Sequence, residues 1–126
     1  MVKAVASLLV AEAGCDKQPG MLGVAEVIRN RARQKRKTPL AIIQQPGVFS
    51  SLIDTDLTTL IRKQTNHPQF ASALRIARLL LQNPERLPNT TRNATHFDNV
   101  NRTPFWSLTA KATVTIGNHR FYRAAF

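Results

Sequence analysis

The sequence predicts a mainly α domain (α+β in the wider sense) that closes with a small C-terminal β-hairpin, and three observations carry that prediction. Apolar residues recur at helical spacing through the first two thirds of the 126 residues. The period is lost from Asn83 onward. Apolar and polar residues then alternate on both sides of Gly117-Asn118 in KATVTIGNHRFYRA, the pattern of two strands joined by a tight turn. At 14.1 kDa the chain fits one domain, 1–126, large enough to bury a core without disulfide or metal staples. It contains no internal repeat, coiled coil, low-complexity tract or dividing linker.

The elements follow in order. Val2 to Ala13 reads VKAVASLLVAEA, a helix with Gly14 as its stop. Gly20 precedes a second helix, MLGVAEVIRNRARQ, from Met21, with Leu22, Val24, Val27 and Ile28 at its apolar positions. Thr38-Pro39 has the form of an N-cap followed by proline at the first helical position, opening LAIIQQ, which Pro46-Gly47 ends. A fourth short helix fits Asp54 to Lys63, with Asp54 as its cap, and a fifth runs from about Pro68 to Gln82 through Phe70, Leu74, Ala77 and Leu81. NPERLPNTTRNATHFDNVNRTPFW, from Asn83, has no sustained period and reads as a long functional loop or two short ordered turns.

Glu12 is the most informative residue. Helical spacing puts it on the stripe of Val5, Leu8 and Leu9, at i−7, i−4 and i−3. A core-facing stripe should not end in an acid. Gly14 puts Glu12 in the last helical turn, where the dipole is negative. Apolar neighbours and dipole together predict a raised pKa, as a general acid near neutral pH requires. The position equally suits a Glu that reaches solvent or pairs with one of the 18 Lys and Arg residues.

Those 18 bases stand against 7 acids, a net charge of +11. The expected partner is a polyanion: nucleic acid, teichoic acid, lipopolysaccharide or an anionic membrane surface. The densest run, Arg29 to Lys37, also reads as a solvated helix end. Cys15 is the sole cysteine, so no intrachain disulfide is expected and a reducing compartment suits the chain. No apolar run approaches a membrane span, and the N-terminus reads as a mature helix and not a signal peptide. His67, His96 and His119 with Asp98 raise a metal hypothesis, but they lie in different segments without HExxH or a Cys pair, so no metal and no cofactor is expected.

Five blocks in order, AEAGCDKQPGMLGVAEVIRNRA, IIQQPGVFS, ATHF, PFW and IGNHRFY, resemble the spore-cortex-lytic and cell-wall hydrolase family (SleB/CwlJ type) over nearly the whole chain. The resemblance implies a compact lysozyme-like fold, cleavage of peptidoglycan between MurNAc and GlcNAc, and an essential acid at Glu12. The chain departs from the family at Cys15-Asp16, where Gly-Glu is usual. Asp16 is an auxiliary candidate at i+4 from Glu12, provided the helix continues past Gly14. Glu26 reads as an exposed residue paired with Arg29. No acid is compelling as a second carboxylate, which favours a lytic transglycosylase over a muramidase.

Phe49, Phe97, Trp106 and Tyr122, with Phe121, are candidate sugar platforms near the matching blocks, and Trp106 could equally be a core anchor. Gln45 and Ser50 are candidates for bonding N-acetyl groups; Asn30 and Arg31 for bracing the cleft; His96 and His119 for hydrogen bonding beside it. With high charge and neither a secretion signal nor a wall-binding module, the expectation is a monomeric phage-type endolysin, held in the host cytoplasm until release onto an anionic envelope. A bacterial spore or envelope hydrolase is the alternative. A small basic nucleic-acid-binding protein is the rival from another class, without a recognisable module.

Overall fold

The computed structural model describes residues 1–46, 48–49 and 55–125. Its helices are α1 (Val2–Ala13), α2 (Lys17–Lys35), α3 (Pro39–Ile43), α4 (Leu57–Gln64) and α5 (Phe70–Gln82); its strands are β1 (His96–Asn99), β2 (Lys111–Ile116) and β3 (His119–Arg123). Among the described residues no helix is long and apolar enough to cross a membrane.

α1 is the centre of the helical half and packs on α2, α4 and α5. Every residue from Ala4 to Val10 is buried, as is Ala13. The stripe of Val5, Leu8 and Leu9 is buried as expected, but burial extends all round the helix from Ala4 to Val10, while Ala11 and Glu12 are only partly buried. Ser7 is accommodated because its hydroxyl donates to the Lys3 carbonyl. Val5, Leu8, Leu9, Met21, Ile28, Ile43 and Leu80 form the heart of this core.

Helix ends differ from expectation for local reasons. α2 begins four residues before Met21, because Pro19 falls in the first turn, where a missing N–H breaks no helical bond. It ends at Arg36 in the left-handed conformation, and the Lys37 N–H returns to the Ala32 carbonyl. Thr38 caps α3 by accepting from the Ala41 N–H. The cap of α4 is Asp56, which accepts from the Thr59 N–H at 2.7 Å. Asp54, the cap expected, lies outside the described residues.

The hairpin forms where expected, around Gly117 at φ +57°. A third strand joins it. β1 pairs antiparallel with β3, giving the order β1-β3-β2 with β1 at an edge. The sequence offered no sign of β1, because a four-residue strand paired with one far along the chain leaves no period to read. Phe121 of β3 is fully buried with Val27 and Ala94, and a Cβ at Gly23 would overlap its ring, so glycine lets the sheet dock closely on α2.

One polar face of α2 orders the aperiodic segment before β1. Glu26, fully buried, accepts from the Thr90 hydroxyl at 2.5 Å and from the Thr91 N–H and hydroxyl, each at 2.9 Å. Arg29 donates to the Leu87 carbonyl, Asn30 to Ala94 and Arg31 to Thr95. Glu26 is thus not the exposed residue expected, although its charge still acts on Arg29. The basic run is likewise split: Arg29 is buried and Arg31 partly so, while Arg33, Arg36 and Lys37 are exposed.

Candidate active site

A cleft of about 380 Å³ lies between the C-terminal end of α1 and the sheet. One wall is Ala11 and Glu12 of α1, with Val48 and Phe49 from the segment after α3. A second wall is the whole of β1, with Arg102, Trp106 and His119, joined by Arg31 of α2, whose Nε donates to the Thr95 carbonyl just before β1. That volume is in the range of a small-molecule site.

Glu12 is partly buried in the last turn of α1, which ends as the Gly14 N–H bonds the Val10 carbonyl. The sequence-predicted acid therefore sits on the cleft wall. Trp106 belongs to a one-turn 3-10 helix, Phe105–Leu108, and its ring is tilted against His96 at 4.8 Å and edge-on to Tyr122 at 5.1 Å. It is half-buried, so the same ring is anchored in the fold and presented to the cleft. Phe97 completes an aromatic group, edge-on to His119 at 5.7 Å.

His119 is fixed by Asp16. Its Nδ1 is 2.5 Å from Asp16 Oδ2, and the Asp16 side chain is only 2 % exposed. Asp16 Oδ1 accepts from the Asn118 N–H at 2.9 Å and from its side-chain amide at 3.2 Å. A Cβ at Gly117 would strike the same carboxylate. One acid therefore holds the hairpin turn and the cleft histidine together.

His96 accepts or donates at Nδ1 with the Thr95 hydroxyl, 2.9 Å away. Burial, reinforced by the positive charges of Arg31 and Lys35, lowers its pKa to about 4, so the ring is neutral at physiological pH. Burial also lowers the pKa of Arg31 from its ordinary value.

Glu12, Arg31, Phe49, His96, Phe97, Trp106 and His119 thus border one cleft, whereas six other candidates do not join them in the described structure, Phe121 among them because its ring is fully buried with Val27 and Ala94. Asp16 is corrected from auxiliary acid to anchor of the hairpin, because the chain leaves α1 through the turn Gly14–Asp16 and both oxygens are engaged. Asn30 is buried behind the cleft and spent on Ala94 and Arg29. Tyr122 is 5 % exposed and supports Trp106 from beneath. Gln45 lines a different pocket, with Asp56 and Leu57. Ser50 lies outside the described residues.

Asp98 is what sequence reasoning missed. It was visible as a possible metal ligand beside His96, but only β1 reveals that it borders the cleft with Glu12. Arg102 was missed as well. Among the described residues no three His, Cys, Asp or Glu side chains converge as a metal set. The arrangement offers a carboxyl proton donor, aromatic walls for apolar sugar faces, and polar groups for hydroxyl and amide recognition.

Residues 16–122 match the sequence pattern of the Cell Wall Hydrolase family, and the chain belongs to that family. The match begins at Asp16, so the position of Glu12 rests on the geometry of α1 and the cleft. No curated protein matches the sequence. Among solved structures, the chain is similar to the catalytic domain of the germination-specific lytic transglycosylase SleB from Bacillus anthracis, with a TM-score of 0.69 at 22 % identity, over 97 % of this chain and 93 % of that one. That likeness bears out the mainly α, lysozyme-like fold expected from the sequence.

Proposed function

We propose that this cell wall hydrolase cuts peptidoglycan strands between MurNAc and GlcNAc as a lytic transglycosylase, with Glu12 as acid and then base. The observation that carries the reading is Glu12 on the wall of the aromatic cleft. Family membership and a SleB-like fold support it.

In this reading Glu12 gives its proton to the glycosidic oxygen as the bond to C1 breaks. Positive charge develops at C1. The sugar's own 6-hydroxyl, already beside C1 at high effective concentration, bonds to it and returns a proton to the Glu12 carboxylate. Trp106 and Phe97 hold the strand by its ring faces, and neutral His96 offers a hydrogen bond without a competing charge.

Mass spectrometry of digested peptidoglycan tests this. The expected products carry 1,6-anhydromuramyl ends, lighter by one water than hydrolysed ends. Absence of both wall clearing and anhydro products, with tight nucleic-acid binding, would favour the basic-protein rival.

A further inference from the structure

The sequence holds seven acids, and the structure disposes of most of them. Glu26 is enclosed by Thr90 and Thr91, and Glu85 pairs at the surface with Arg33. Asp16 is committed to His119 and Asn118, and Asp56 caps α4. Asp54 lies outside the described residues. Glu12 and Asp98 are the two carboxylates that border the cleft among the described residues, one from the end of α1 and the other from β1.

Asp98 is held for use from one side. Its Oδ1 accepts from the Asn99 N–H at 2.7 Å, and Arg102 Nε lies 3.9 Å from the same oxygen. No described residue bonds to Oδ2. The side chain is 24 % exposed, enough for water to reach it, and its register partner on β3 is Arg120. An oriented carboxylate with an open oxygen in a wet cleft is a hydrogen-bond acceptor for water. Inverting glycosidases, in which water attacks C1 directly, use a second carboxylate in that way.

We propose that Asp98 serves a hydrolytic branch of the same cut; this rests on the assignment of Glu12 above. Glu12 protonates the leaving oxygen in both branches, and the C1–O bond breaks. In the branch through Asp98, water bonded to its carboxylate supplies the oxygen that bonds to C1, and the water's proton passes to Asp98. The product is a reducing muramic acid end. In the other branch the 6-hydroxyl closes on C1 and its proton returns to Glu12. Asp98 thereby sets the ratio of reducing to anhydro ends.

The test is digestion of purified peptidoglycan in ¹⁸O-labelled water, with both kinds of end counted by mass spectrometry. Wild type is expected to yield both, the reducing ends carrying label. Asp98→Asn keeps an acceptor for the Asn99 N–H but is a poor proton acceptor, and should lower the labelled fraction at least tenfold while anhydro ends persist. Asp98→Ser, checked for an unchanged Tm, should do the same. An unlabelled wild-type digest, or equal loss of both ends in both variants, would overturn the role of Asp98 and leave that of Glu12 standing. Glu12→Gln tests the latter separately, since it should abolish both kinds of end.

Discussion

The two walls of the cleft are held by different forces. Glu12 stands at the end of α1, a helix wrapped by aliphatic side chains from α4 and α5. Asp98, His96 and Trp106 come from a segment that supplies little to that core and is fastened to α2 by Glu26, Arg29, Asn30 and Arg31. The first wall is secured by non-directional burial, the second by buried, directional bonds. Burial tolerates small shifts, whereas a buried donor without its acceptor costs about 1–3 kcal/mol. Activity should therefore depend on α2's polar face more than stability alone would suggest.

The largest expected effect belongs to the first wall. Glu12→Gln should lower wall lysis by more than 100-fold, as about 10²- to 10⁴-fold is typical for general acid–base groups, because an amide cannot donate the proton. Circular dichroism and Tm should stay near wild type, since the substitution keeps shape at a partly buried position. Activity retained above about a hundredth of wild type would remove Glu12 from its role.

A matched pair of substitutions then separates the two kinds of support. Leu80→Ala opens a cavity in the helical core and should cost about 2–5 kcal/mol, with specific activity per folded molecule unchanged. Glu26→Ala strands the Thr91 N–H and two hydroxyls and should cost about 3 kcal/mol, while also lowering specific activity as β1 loses its seat. Denaturation curves and turbidity assays on the folded fraction measure both. Full specific activity in Glu26→Ala would show that the polar clamp stabilises without shaping the cleft.

The same contrast explains what could be read from the residues alone. α1, α3, α5 and the Gly117 hairpin announce themselves through local signals: a period, a cap, a turn residue. Glu12 stood out because an acid interrupts such a period. The seat of β1 is written instead as pairwise bonds between residues 58 to 65 positions apart, which no local pattern records. Glu26 was consequently misplaced, and Asp98 became a cleft residue only once β1 was seen. Asp16 was misjudged for a related reason: its partners, Asn118 and His119, are at the other end of the chain.

The basic run offers a smaller test, inner half against outer. Arg36→Gln with Lys37→Gln alters exposed positions beyond α2 and should move stability by no more than about 0.5 kcal/mol. If the exposed bases concentrate the protein on an anionic wall, the double variant should lyse walls several-fold more slowly and respond less to salt, because screening shortens to about 8 Å at physiological ionic strength. Cleavage of a short uncharged glycan should not change. Equal losses on both substrates would mean that this charge acts within the cleft.

The smallest effect concerns His96, the titratable group of the polar wall. Its pKa is lowered from 6.5 to about 4, chiefly by burial, with Arg31 and Lys35 adding to the shift. Between those two values the unfolded chain binds a proton that the folded chain does not, so this residue makes stability rise with pH across the window. Its contribution is whole above pH 6.5 and is lost as the pH falls toward 4. Because the ring borders an open cleft, solvent screens part of the effect, and a Tm change of roughly 4 °C or less is expected across the window. Carboxylates titrate nearby, so the informative quantity is the difference between wild type and His96→Gln. The variant should lose less stability than wild type on going from pH 6.5 to 4, and the two should run parallel above 6.5. Parallel curves through the whole window would mean that His96 takes up its proton in the folded protein as readily as in the unfolded chain, and that the second wall is more open to water than its bonds to α2 imply.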